Sequence, residues 1–211
     1  MLTRSDLWDA ELKLCEAAEA GGMLDLSRHT EDSGNVDQSG GWTSEHDIRA
    51  DFLAAFLTSD LLFRGGSRRA VRLASARIIG ALNLEAQDVL APVELRGCRI
   101  DEQIRLNGAR APSVAFLGCR FTSISAEQLE TRGDFVIAES RGNWIDLDQA
   151  RIGGSVWASA AQLTGQGDDV ALRADRIQVQ GSVYFTNRFA AEGEIRMLGC
   201  HIKGALDLSS A

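Results

Sequence analysis

The stretch VELRGCRIDEQIRL, residues 93–106, decides the fold. Val93 and Leu95 stand two apart, Cys98 follows five residues after Val93, Ile100 comes two places later, and Ile104 and Leu106 form a second pair. Apolar residues two apart put their side chains on one face of a strand, and runs this short between polar breaks suit strands rather than helices. The pattern recurs. VRLASARIIGALNL begins at Val71, VAFLGCRFTSI at Val114, IDLDQARIGGSVWA at Ile145 and IRMLGCHIKGALDL at Ile195. In all five copies an apolar-x-apolar pair is followed, five residues after its start, by Ala or Cys, and two places later by Ile or Phe.

The starts are separated by 22, 21, 31 and 50 residues, and partial copies fill the longer gaps: GDFVI at 133–137 and IQVQGSVYF at 177–185. The unit is therefore 21 to 27 residues, with about six units and loop insertions expected near 125–133 and 164–170. Units this small cannot each close a core, so they must stack on one another. Inward residues step by five or six along Leu73, Ile78, Leu84, Val89, Leu95, Ile100 and Leu106, and four steps return the chain to its starting face. The expected fold is mainly β: a right-handed quadrilateral parallel β-helix over 71–211, its coils stacked at a strand spacing of about 4.8 Å.

A bulky residue at a central position, Ala or Cys two places before it and a step near five resemble the pentapeptide-repeat proteins. The pairs that carry the likeness are Ala76/Ile78, Cys98/Ile100, Cys119/Phe121, Ala150/Ile152 and Cys200/Ile202. The resemblance covers about 71–211 and implies a quadrilateral right-handed β-helix. ARIIGALNL-type coils behind an IRADFLAAFL-type helix also look like a group of uncharacterised bacterial proteins, some labelled membrane-associated oxidoreductases. No motif in the chain supports an oxidoreductase.

Residues 1–70 read as an α-helical N-terminal cap. SDLWDAELKLCEAAEAGG has Ser5 as a candidate N-cap, Leu7, Trp8, Leu12 and Cys15 as its apolar stripe, and Gly21–Gly22 as its stop. A Ser-, Gly- and Asp-rich loop, expected to be mobile, follows at about 27–45. TSEHDIRADFLAAFLTSD then reads as a second helix with Ile48, Phe52, Ala55 and Phe56 on one face.

Net charge is −8, which argues against general attraction to nucleic acid or anionic lipid. The excess acid lies at the N-terminal end: 13 acids against 7 bases in residues 1–70, but 17 against 15 in the remainder. No apolar run is long enough to span a membrane and the start has no secretory apolar core, so a cytoplasmic place is the default expectation.

Cys98, Cys119 and Cys200 invite a zinc reading. They occupy the slot that Ala76 and Ala150 fill in sister copies, which instead calls for a small inward side chain. No metal or cofactor is expected. Ser155 in GGSVWASA repeats as Ser182 in GSVYF and reads as a coil corner. His29, His46 and His201 read as surface residues. The position after the small slot is Arg77, Arg99, Arg120 and Arg151, then His201, an outward column laced by acids such as Glu94 and Asp146 or facing an anionic partner. Trp157 and Tyr184 take equivalent outward positions on another side, as a partner contact or under the N-terminal segment.

These readings favour a non-catalytic repeat scaffold for protein–protein interaction over an enzyme. One alternative is an acidic DNA mimic that binds a topoisomerase, which the near-neutral coil region disfavours. Another is the N-terminal module of a longer membrane-associated bacterial protein. IKGALDLSSA stops inside a coil and leaves Leu206 and Leu208 at an open end, so either more chain follows or a second copy covers it.

Overall fold

The computed structural model describes residues 3–27, 42–60, 70–165 and 170–211. Short parallel strands stack into a β-solenoid of about six turns, with helices ahead of the coils. Each turn contributes to four parallel sheets. The first sheet carries the strands beginning at Val71, Val93, Val114, Phe135, Val156, Val183 and Leu206. A coil therefore takes 21 or 22 residues until Val156, and the coil from Val156 to Val183 takes 27. The insertion expected near 125–133 is instead a regular corner and the strand Glu130–Thr131; residues 166–169 lie outside the described part.

Two of the five sequence copies sit half a turn out of phase. Val71, Val93 and Val114 open first-sheet strands, whereas Ile145 and Ile195 pair in the third sheet through Leu172. The backbone explains the confusion. The corner after the first sheet places Ser75, Gly97, Gly118, Glu139 and Ala160 at positive φ, and the corner after the third sheet does the same at Ala86, Gly108, Gln128, Gln149, Arg176 and Gly199. Both corners make the same left-handed step before a small inward residue, so one local motif serves two places per turn. Glycine adopts that step without a Cβ penalty, which puts Gly97, Gly118 and Gly199 into the repeats.

The interior is a set of inward columns. In the second sheet Ile48 pairs with Ile78 and Ile78 with Ile100; Ile100 then pairs with Phe121, and Gly142 with Leu163. Phe121 is buried, and a Cβ built on Gly142 would overlap its Cδ2, Cε2 and Cζ atoms. A large ring thus takes the space of two rungs because the next rung supplies none.

The N-terminal segment differs from expectation in three ways. The helix α1 spans Asp9–Ala20 with Trp8, not Ser5, at its N-cap, and Ser5 lies in a 3-10 turn at Arg4–Asp6. The Trp8 N–H donates to Glu11 Oε2 at 2.9 Å, which sets the helix start. Its buried stripe is Ala10, Glu11, Leu14, Cys15 and Ala18, while Trp8 is exposed. Gly21 ends it in the left-handed region, φ 72°. The second helix, α2, begins only at Ala50 and ends at Thr58. Asp47–Arg49 before it is a strand paired with Arg77–Ile79, so Ile48 faces the solenoid interior rather than a helix face. Leu24–Asp25 pairs in the same way with Leu73–Ala74. These rungs satisfy backbone groups on two sheets ahead of the first full coil. Of the loop expected at about 27–45, residues 28–41 lie outside the described part. Among the described residues no helix is long and apolar enough to cross a membrane.

Candidate functional site

The strand register redraws the arginine column. Asp47 pairs with Arg77, Arg77 with Arg99, Arg99 with Arg120 and Arg120 with Arg141, all in the second sheet. Gln162 and Ala190 continue that column. Arg151 does not belong to it. It lies in the fourth sheet between Glu130 and Gln178, and His201 pairs with Gln178 on the same sheet. Arg141 is the member the sequence reading missed. Its signal is the constant step of 21 residues from Arg99 to Arg120 to Arg141, masked because Gly142 stands where the repeat has Ile or Phe.

Acids meet the second-sheet arginines at Arg77 and Arg99. Arg77 donates from Nε to Asp47 Oδ1 and from Nη2 to Asp47 Oδ2, both at 2.8 Å, and this pairing raises the pKa of the guanidinium. Arg99 Nε donates to Asp101 Oδ1 at 2.6 Å. The acids expected to lace the column serve other arginines: Glu94 meets Arg72 and Arg96 on the first sheet, and Asp146 meets Arg173 on the third. Arg120 and Arg141 line a groove of about 330 Å³ with Asp101, Thr122, Asn143 and Gln162.

A second groove, about 590 Å³, runs along the fourth sheet past Arg110, Glu130, Arg132, Arg151 and Gln180. Here signs alternate from coil to coil. Glu130 receives Arg151 Nη1 at 2.8 Å and lies 3.6 Å from Arg110 Nε, while Arg110 also lies 3.5 Å from Asp88. A ladder of this kind largely neutralises itself.

On the first sheet Val136 pairs with Trp157 and Trp157 with Tyr184. The two rings stack at 4.0 Å between centroids and 17° between planes. Trp157 remains 36% exposed, so the expected alternative, cover by the N-terminal segment, is not its arrangement among the described residues. Ala115 and Val136 extend the ladder below it.

The cysteines answer to packing. Cys98 and Cys119 are buried and sit one rung apart, before Arg99 and Arg120. Their thiols donate to backbone carbonyls, Cys98 to Leu73 at 3.7 Å and Cys119 to Leu95 at 3.3 Å. Ser140 fills the next rung of that slot and donates to Phe116 O at 3.1 Å. Burial, reinforced by Cys119, pushes the Cys98 thiol well above its ordinary pKa. Cys200 precedes His201 on the fourth sheet, away from the pair. Among the described residues no three His, Cys, Asp or Glu side chains converge as metal ligands. A chromogenic thiol reagent should therefore modify one cysteine quickly in the native protein, the half-buried Cys200, and Cys15, Cys98 and Cys119 only on unfolding. Rapid native modification of Cys98 or Cys119 would contradict the packing.

Ser155 is a corner residue, as its repetition implies. Asp134 Oδ1 accepts from Ser155 N–H at 2.7 Å, Ser155 Oγ from Ser182 N–H at 3.1 Å, and Ser182 Oγ from Ala205 N–H at 3.0 Å. Each side chain thus caps the next coil. His46, expected at the surface, is buried: its Nδ1 accepts from Thr43 N–H at 3.2 Å and its ring meets Trp42 edge-on at 5.5 Å. His201 is exposed, and His29 lies outside the described residues.

No family model matches the chain, and no curated protein or solved structure matches it either.

Proposed function

We propose that the chain is a pentapeptide-repeat-like, right-handed quadrilateral β-helix that acts as a non-catalytic scaffold for protein–protein interaction. Four sheets per turn and left-handed corners in two columns support the family reading. The observation that carries the function is the stacked Trp157–Tyr184 pair, held open on a flat sheet face and continuous with Ala115 and Val136. Aromatic side chains fixed in this way offer large contact area at little entropic cost, the character of interface hot spots. The near-neutral balance of residues 71–211, 17 acids against 15 bases, favours this reading over an acidic DNA mimic, whose rod would carry a large excess of acid.

The partner is a protein or a second copy of the chain. A photo-cross-linking amino acid at position 136 in cells, with light scattering of the purified protein across concentration, tests both. Support is a single adduct, or a dimer, that disappears in Trp157→Ser/Tyr184→Ser while circular dichroism is unchanged. A monomer throughout, with no adduct sensitive to those substitutions, overturns the proposal.

A further inference from the structure

We infer that the trough beside Trp157 on the first sheet receives an arginine side chain of a partner protein, its guanidinium held between the indole face and the Asp134 carboxylate. This deepens the scaffold reading by naming what the partner presents there, and it rests on that reading for the source of the arginine.

The outward column of the first sheet changes size abruptly. Ala115 pairs with Val136 and Val136 with Trp157, so two small side chains are followed, one strand spacing of about 4.8 Å further on, by an indole. Ala115 and Val136 floor a trough of about 390 Å³ whose side is formed by Pro92, Pro112 and Gly133. Trp157 stands past its end. Tyr184 stacks on one face of the indole, which leaves the other face turned toward Val136.

Among the described residues one charged group lines the trough, Asp134. Its Oδ1 accepts the Ser155 N–H at 2.7 Å, and a Cβ built on Gly154 would overlap that same oxygen, so the carboxylate is seated rather than swinging in solvent. Among the described residues Oδ2 accepts no hydrogen bond and no cation pairs with the group. Other acids of the solenoid are matched: Glu94, Asp101, Glu130, Asp146 and Asp175 each meet an arginine. Arg72 and Arg96, at the foot of the same sheet, are both engaged by Glu94.

Charge and shape select the occupant. A half-buried carboxylate without a counter-ion calls for a cation, an apolar floor for an aliphatic stem, and an open indole face for a flat cation that stacks on it. Arginine supplies all three: methylenes for Ala115 and Val136, a plane for the indole, and N–H donors for Asp134 Oδ2. Lysine matches the charge but neither stacks as a plane nor forks onto the carboxylate. A leucine or phenylalanine would fill the trough and leave the carboxylate desolvated and unmatched. The net charge of −8 favours the approach of a basic partner surface.

The test is an NMR titration of the full chain with N-acetyl-arginine-N-methylamide, against its neutral isostere N-acetyl-citrulline-N-methylamide at matched ionic strength. The Trp157 indole N–H and the Ser155 amide, which reports on Asp134 through its hydrogen bond, should shift saturably with the arginine compound. The citrulline compound should bind at least about tenfold more weakly, as should the arginine compound to Asp134→Asn, because a charge-assisted hydrogen bond is lost. Asn keeps an oxygen for the Ser155 N–H, so the corner stays folded. The lysine analogue should fall between. Trp157→Ser should also weaken binding, whereas Asp88→Asn, beside Arg110 on another face, should leave it unchanged. Equal shifts with the arginine and citrulline compounds, or binding unaltered in Asp134→Asn, overturn the inference. Free arginine bound more tightly than the blocked form would assign a small metabolite and overturn the partner's side chain as the source. A Trp157-dependent adduct without arginine binding would sink this site and leave the scaffold reading standing. Arginine binding without any Trp157-dependent adduct or dimer would remove the scaffold reading and leave the guanidinium site.

Discussion

Arg49→Ala should destabilise the N-terminal end of the protein by about 3–5 kcal/mol, the cost of leaving a buried charge unmatched. Glu11 on α1 has no exposed surface. Its carboxylate takes three bonds from Arg49: the backbone N–H at 3.0 Å, Nε at 2.8 Å and Nη2 at 2.6 Å. It also accepts the Trp8 N–H, and the Arg49 guanidinium lies 5.0 Å from the Trp8 ring centroid. One ion pair thus joins the helix start, the first rung at Asp47–Arg49 and the entry to α2. Removing Arg49 strands the carboxylate in a place that water does not reach. The double variant Glu11→Leu/Arg49→Met should recover most of the loss, because apolar groups of similar volume often replace a buried pair without cost. Urea denaturation followed by tryptophan fluorescence measures both. A single variant within about 0.5 kcal/mol of the parent would mean the pair is not what pins the helix to the coils.

Phe121→Ala should cost about 3–5 kcal/mol through the cavity it leaves. Gly142→Val should cost about 1–3 kcal/mol or more through overpacking. The two residues share one inward column, and the Phe121 ring occupies the volume that a Gly142 side chain would claim. The double variant Phe121→Ala/Gly142→Val should therefore be more stable than the sum of the single losses by at least about 1 kcal/mol. Additive losses would mean that the ring relaxes elsewhere. Because repeat proteins unfold through neighbouring units, hydrogen exchange of the amides near residues 121 and 142 is the local readout.

How far the sequence reached is visible in this column. Strand character, inward stepping and the stacking of units near 21 residues follow from local pattern, because alternation along a strand is set within two residues. The small slot at Cys98 and Cys119 was legible for the same reason. Arg141 was not: it is followed by glycine, and the pairing of Gly142 with a neighbour's oversized ring is a relation between coils that no local motif carries. The strand at Asp47–Arg49 was missed because HDIRADFLAAFL continues an apolar pattern that helix and strand both satisfy over so few residues. Only hydrogen bonds to Arg77–Ile79 decide between them.

By itself, then, the sequence determined that short strands repeat and that their small and bulky residues face one core, since each strand's facing is a property of its own few residues. Tertiary structure alone decided phase. Two corners per turn use the same left-handed step, so identical motifs land on opposite sheets, and which arginines stand together depends on how many half-turns separate them. That count is fixed by hydrogen bonds between coils, 19 or more residues apart in the chain, and it sets Arg120 beside Arg141 while sending Arg151 to another face.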